Sequence, residues 1–231
     1  MYESRLLANL PRIREAIEKA AIRSGRSEGE VTLVAVTKAH PPEALRAALA
    51  VGLTDLGENR VEELERKVRL LGRDSATWHM VGHVQSRKAK QVVESADMIH
   101  SVDTLKLARR LSGSASEYEG RVPILVQVNM SEEESKGGFH QDRALDAIHE
   151  VLELPGVEVR GLMTLAPFVD DERVLRRVFV GLRRIHEEAG KLPDYQGREL
   201  SMGMTNDFEL AVEEGSTMVR IGTALFGERP R

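Results

Sequence analysis

Apolar residues recur along this chain in two alternating rhythms. From about residue 3 to 24, Leu6, Leu7, Leu10, Ile13, Ile17 and Ile22 fall at helical spacing, which predicts an opening amphipathic helix. Short β-branched runs then predict strands over 31–37, 53–56, 77–81, 98–102, 122–128, 157–163, 200–204 and 218–221. Helical spacing returns between them, over 42–50, 61–71, 86–95, 104–112, 142–152, 171–189 and 206–214. Several strand runs, VTLVAV and PILVQV among them, are almost continuously apolar, as parallel strands covered on both faces are. Eight strands, each joined to the next by a helix-sized segment, predict an α/β fold: a single (β/α)8 barrel with an extra N-terminal helix. An open doubly wound sheet is the alternative, but no GxGxxG follows the first strand and nothing marks a switch point.

Composition narrows this further. At 231 residues and 25.7 kDa the length suits one barrel domain over 1–231, with no linker or low-complexity stretch to divide it. The net charge of -4 and 4% aromatic content argue against nucleic acid as a partner. Cysteine is absent, which removes disulfides, thiolate catalysis and cysteine-based metal sites. No apolar stretch is long enough to span a bilayer and residues 1–10 lack a signal-peptide core, so a cytoplasmic protein is expected.

Chemistry in such a barrel collects at the carboxyl ends of the strands. Those ends carry Thr37-Lys38, Glu58-Asn59, Gly82-His83, Ser101 to Asp103, Asn129 to Ser131, Met163-Thr164, Ser201 to Asn206 and Arg220 to Thr223. Lys38 stands out, because it is the only one of eight lysines set against a strand. Strand alternation puts it on the face of Val34 and Val36, the barrel interior. Partial desolvation there favours a neutral amine, which can form a Schiff base with an aldehyde. The plainer reading pairs Lys38 with a carboxylate such as Glu58. The last two strands end in Ser201-Met-Gly203-Met-Thr205 and Arg220-Ile-Gly222-Thr223. Glycines that admit backbone amides, hydroxyl donors and following helix N-termini predict a phosphate cradle there. His79 and His83, four apart across a strand and turn, do not make a metal site, and His100 reads as a hydrogen-bonded core or mouth residue. Glu132-Glu133-Glu134 with Ser135-Lys136-Gly137-Gly138 reads as an acidic loop able to act as a lid.

The segments VAVTKAHP, GENRVEE, WHMVGHVQSRK, GLMTLAP, LSMGMTND and GSTMVRIGTALFG follow one another along nearly the whole chain. Together they closely resemble the pyridoxal phosphate homeostasis proteins (the YggS/PROSC family), single-domain relatives of the alanine racemase barrel. One departure is His83 in WHMVGHVQ, where the family pattern has another residue, often Pro or Ser. The resemblance implies that Lys38 forms a Schiff base with pyridoxal 5′-phosphate. It implies a phosphate held by Ser201, Gly203, Thr205, Gly222 and Thr223. Arg220 then faces the pyridine nitrogen or reaches the phosphate, and Asn59 and Met163 line the ring.

The same resemblance implies a non-catalytic carrier that buffers or delivers pyridoxal phosphate, acting as a monomer with free amino acids or pyridoxal-dependent apoenzymes as recipients. Racemase relatives add a tyrosine from a further β domain, whereas Tyr2, Tyr118 and Tyr195 are all expected away from the mouth. A weak racemase using Lys38 with His83 or a water is the alternative. A barrel forming its Schiff base with a sugar phosphate is a third possibility.

Overall fold

A computed structural model of the chain describes residues 1–117, 120–131, 133 and 136–228. Tyr118, Glu132, Glu134 and Ser135 therefore lie outside the described residues. The strands are β1 (Thr32–Val36), β2 (Asp55–Glu58), β3 (Thr77–Met80), β4 (Met98–Val102), β5 (Val122–Asn129), a two-residue β6 (Phe139–His140), β7 (Val157–Met163), β8 (Glu199–Met204) and β9 (Met218–Ile221). All but β6 form a closed parallel barrel. β1 pairs with β2 (Val36 against Gly57) and with β9 (Val34 against Arg220), and β4 pairs with β5 (Ile99 against Ile124) to close the ring. The chain thus forms the expected (β/α)8 barrel, and the expected seventh and eighth strands are β8 and β9.

Around the barrel lie α1 (Tyr2–Arg23), α2 (Pro42–Ala50), α3 (Val61–Leu71), α4 (Ala89–Ser95), α5 (Leu105–Ser116), α6 (Ala144–Leu152), α7 (Glu172–Ala189), α8 (Phe208–Glu213) and α9 (Thr223–Phe226). α1 buries Leu6, Leu10, Ile13 and Ile17 at helical spacing, while Leu7 and Ile22 stay 61% and 62% exposed. The buried stripe is narrow because the helix lies across α2, α8 and α9 rather than between two layers. α7 begins where Asp171 accepts hydrogen bonds from the amides of Arg173 and Val174, and α5 where Thr104 accepts from Leu107.

The main core fills the space between strands and helices, with Leu56, Trp78, Ile124 and Phe179 fully buried. Removing such side chains from water contributes roughly 1.5–3 kcal/mol each, largely offset by the entropy of ordering the chain. Two small clusters are separate from it: Val34 with Val36 and Val81, and Leu125 with Met163 and Met218. β2 starts two residues later than the apolar run suggests, because it continues through Gly57 and Glu58. β6 adds its two residues beside the end of β5.

Candidate functional site

Lys38 sits half-buried in a turn directly after β1, and helix α3 holds that turn on both sides. The Lys67 ammonium is buried and donates to the carbonyl oxygen of Thr37 at 2.8 Å, to Glu58 Oε1 at 2.7 Å and to Glu63 Oε1 at 2.9 Å. The Thr37 hydroxyl also donates to Glu58 Oε1. Glu63 Oε1 in turn accepts from the amide of Ala39 at 2.8 Å. Ala39 has φ 60°, a left-handed conformation that costs a residue with a Cβ on the order of 1 kcal/mol, and the Glu63 bond offsets it. Glu58 therefore pairs with Lys67, a lysine the helical pattern treats as ordinary. Burial pushes the Glu58 carboxyl up to about 6 against the opposing pull of Lys67.

A second polar assembly crosses the barrel interior. Asp55 Oδ1 lies 3.1 Å from His79 Nε2, His79 Nδ1 lies 2.9 Å from His100 Nε2, and His100 Nδ1 lies 2.8 Å from Ser201 Oγ. Arg220 then donates from Nη1 to Ser201 Oγ at 2.5 Å and from Nη2 to the carbonyl oxygen of Thr164 at 2.9 Å. Burial, with His79 and Arg220 nearby, holds His100 well below the usual imidazole range, so its ring is neutral. With one hydrogen on each ring, a single assignment satisfies every contact. Arginine only donates, so Ser201 accepts from Arg220 and gives its own hydrogen to His100 Nδ1. His100 Nε2 donates to His79, and His79 donates to Asp55. The hydroxyl hydrogen of Ser201 is committed away from the mouth.

A cavity of about 880 Å³ opens at the carboxyl ends of the strands. Its wall includes Lys38, Asn59, Thr205, Arg220, Gly222 and Thr223, so six of the expected site residues meet there. Met163, Ser201 and Gly203 do not belong to that wall. Met163 is buried with Leu125 and Met218, Ser201 is in the crossing chain, and Gly203 (φ 94°) packs on α8. The helices after β8 and β9 have only six and four residues, so any cradle rests on loop amides and hydroxyls rather than on long helix dipoles. At Gly222 a Cβ would lie 3.0 Å from the carbonyl oxygen of Val36, so the missing side chain lets this turn pack directly on the end of β1.

The two histidines of WHMVGH separate. His79 is inside the barrel, whereas His83 belongs to the cavity wall, with its Nδ1 2.8 Å from Asp103 Oδ2. Lys136 also faces this cavity and donates to the carbonyl oxygen of Ala166 at 2.8 Å. Phe168, 90% exposed, stands on the rim. Tyr2 begins α1 and its hydroxyl lies 3.3 Å from His40 Nδ1, and Tyr195 pairs with His186 at 2.8 Å; neither belongs to the wall. Among the described residues no group of three His, Asp or Glu side chains is arranged to hold a metal, and no helix is long and apolar enough to cross a membrane.

Sequence relationships agree with this architecture. Residues 8–230 match the family described as alanine racemase, N-terminal domain. The chain is 39% identical to the pyridoxal phosphate homeostasis protein of Aquifex aeolicus (strain VF5) over 220 residues, covering 95% of this chain and 96% of that one. The chain belongs to the pyridoxal phosphate homeostasis protein family. The family member of Escherichia coli (strain K12) is likewise 39% identical over 225 residues, 96% of this chain and 95% of its own. A solved structure of PipY from Synechococcus elongatus with PLP bound is similar at TM-score 0.80 and 37% identity, covering 92% of this chain and 99% of that one. Alanine racemase from Corynebacterium glutamicum shares the fold alone, at TM-score 0.72 and 16% identity over 95% of this chain and 61% of the racemase.

Proposed function

We propose that this chain binds pyridoxal 5′-phosphate in the mouth cavity, held as a Schiff base on Lys38, and that it buffers and hands on the cofactor rather than turning over a substrate. The observation that carries the reading is the gathering of Lys38, Asn59, Arg220, Thr205, Gly222 and Thr223 on one cavity wall. This set supplies an amine, a guanidinium, hydroxyls and a backbone that a ligand can approach closely, as an aldehyde bearing a phosphate requires. When bound, the group supplies an aldehyde with which a primary amine condenses, releasing water.

Lys38 supplies that amine, from a turn that Lys67 and Glu63 hold on both sides. Thr205, Thr223 and the backbone at Gly222 hold the phosphate, and Asn59 borders the ring. Met163, Ser201 and Gly203 support the wall from behind. Arg220 faces the ring nitrogen. Burial lowers its guanidinium only to about 10, so at neutral pH it donates a hydrogen bond and does not surrender its proton. A ring nitrogen facing it stays unprotonated, which weakens the ring as an electron sink and favours a carrier over a carbanion-forming enzyme.

In this reading residues 1–231 act as one domain and as a monomer in the cytoplasm. Free amino acids and pyridoxal-dependent apoenzymes are the recipients. A second reading, a weak amino-acid racemase, draws on the His83–Asp103 pair in the same cavity. Exchange of the Cα proton of alanine in deuterated water separates the two. We expect the loaded protein to exchange it no faster than free pyridoxal phosphate. Faster exchange that disappears in Lys38→Ala contradicts the carrier reading.

A further inference from the structure

His83 and Asp103 form a histidine–carboxylate pair on the cavity wall that binding the cofactor does not use. The contact joins Nδ1 of His83 to Oδ2 of Asp103 at 2.8 Å. The two partners differ sharply in exposure, with the Asp103 side chain 8% and the His83 side chain 68% accessible. Asp103 is also covered: a Cβ on Gly137 would lie 2.9 Å from its Oδ2, so the segment through Lys136 and Gly137 closes over the carboxylate. A buried carboxylate accepting from Nδ1–H fixes the tautomer with a lone pair on Nε2. Among the described residues Nε2 has no partner, so that lone pair is available to the cavity.

Three other titratable groups on this wall are committed, and a fourth, Asp170, is exposed. Asp207 accepts from the amide of Met204 at 2.5 Å, and His40 is buried between Tyr2 and Phe226. Lys136 donates to Glu133 and to the carbonyl oxygen of Ala166. Among the described residues His83 is thus the proton acceptor on this wall that a buried carboxylate orients, in the cavity that Lys38 also lines.

An incoming amino acid needs such an acceptor. Its amine is an ammonium at neutral pH and cannot attack until it loses a proton. We infer that His83, oriented by Asp103, is the general base through which a free α-amino acid takes the cofactor from Lys38. This rests on the Schiff-base reading above. His83 Nε2 removes one proton from the amino-acid ammonium. The freed amine then forms a bond to the carbon that is doubly bonded to Lys38 Nζ. The attacking nitrogen passes one of its two remaining protons to Nζ, His83 returns the first one there, and the bond from that carbon to Nζ breaks, leaving a neutral amine on Lys38 and the cofactor on the amino acid as a protonated Schiff base. One carbon–nitrogen double bond is exchanged for another, with no water consumed and no change of oxidation state.

The test uses the full chain loaded with pyridoxal 5′-phosphate, mixed with glycine in a stopped-flow spectrometer. We expect His83→Gln to slow the exchange at least tenfold, since a positioned general base typically contributes about 10²–10⁴, and added imidazole to restore much of the loss. Asp103→Asn is expected to slow it as well. A readout on the cofactor-free protein accompanies this: ¹⁵N NMR should find His83 as the Nδ1–H tautomer, and Asp103→Asn should abolish that preference. A His83→Gln protein that exchanges at the parent rate overturns the inference and leaves cofactor binding intact. A parent chain that takes up no pyridoxal phosphate overturns the binding reading, and the inference with it.

Discussion

Lys67 reaches from α3 to the carbonyl oxygen of Thr37 at 2.8 Å, so a helix lysine fixes the backbone that presents the lysine of the mouth. Its ammonium is shared with Glu58 and Glu63, and Glu63 also binds the amide of Ala39. Lys38 is therefore bracketed by two residues whose backbones are both tied to one buried charge cluster.

Replacing Lys67 with methionine tests this bracket. The substitution leaves Glu58 buried without its cation, and breaking such a pair costs roughly 3–5 kcal/mol. Urea denaturation should show a loss of that size, and pyridoxal phosphate uptake at Lys38 should slow in the fraction that remains folded. A loss below about 1 kcal/mol would mean that the cluster is not the buried assembly described.

Glu58 gives the cluster a pH signature. Its carboxyl rises from 4.5 to about 6 on folding, because burial outweighs Lys67. A folded value above the unfolded one means a contribution that is fully present below 4.5 and is lost as pH rises through about 6. The stability of the parent relative to Glu58→Gln should fall by on the order of 2 kcal/mol across that window and level off on either side. A difference independent of pH there contradicts the assignment.

Ser201 and Thr223 are expected to fail in different ways. Ser201→Ala removes the acceptor of Arg220 Nη1 and the donor to His100, and should cost about 1–3 kcal/mol of stability. Thr223→Ala should leave stability nearly unchanged. By removing a hydrogen bond to a charged group, it should weaken pyridoxal phosphate roughly tenfold or more while hardly affecting pyridoxal. Calorimetric titration with both ligands distinguishes the roles. A Ser201→Ala protein that loses phosphate selectivity with no loss of stability refutes the hydrogen assignment in the barrel.

Gly203 is predicted to act through backbone shape. At φ 94° a Cβ would lie 2.6 Å from the Cβ of Ala211 and 3.0 Å from the Cα of Phe208. Gly203→Ala should therefore destabilise by more than about 1 kcal/mol, visible as a lower melting temperature of the cofactor-free protein. An unchanged melting temperature contradicts it.

These cases show what the residue pattern carries and what it conceals. The barrel was legible because strand and helix periods alternate cleanly, and Lys38 because a cation ending the run VTLVAV is conspicuous. Lys67 was not: in α3 it follows Val61 and Leu64 at three-residue spacing, on the buried stripe, yet a lysine there reads as a solvated position. The one local hint was Glu63 four residues before it. Nor does alternation along β8 reveal that Ser201 turns to His100, because that contact joins residues 101 apart in sequence. Lys38, Asn59, Thr205, Arg220, Gly222 and Thr223 were nameable from strand ends, whereas the two hydrogen-bonded assemblies behind them depend on distances that only the closed barrel creates.

The most direct test of the account is where pyridoxal phosphate attaches. The loaded protein is reduced with borohydride, digested, and its pyridoxyl-bearing peptide identified by mass spectrometry. The account predicts a single adduct at Lys38, abolished in Lys38→Ala, with the visible absorption band lost on reduction. A dominant adduct at Lys136 or another lysine, or a protein that takes up no cofactor, contradicts it.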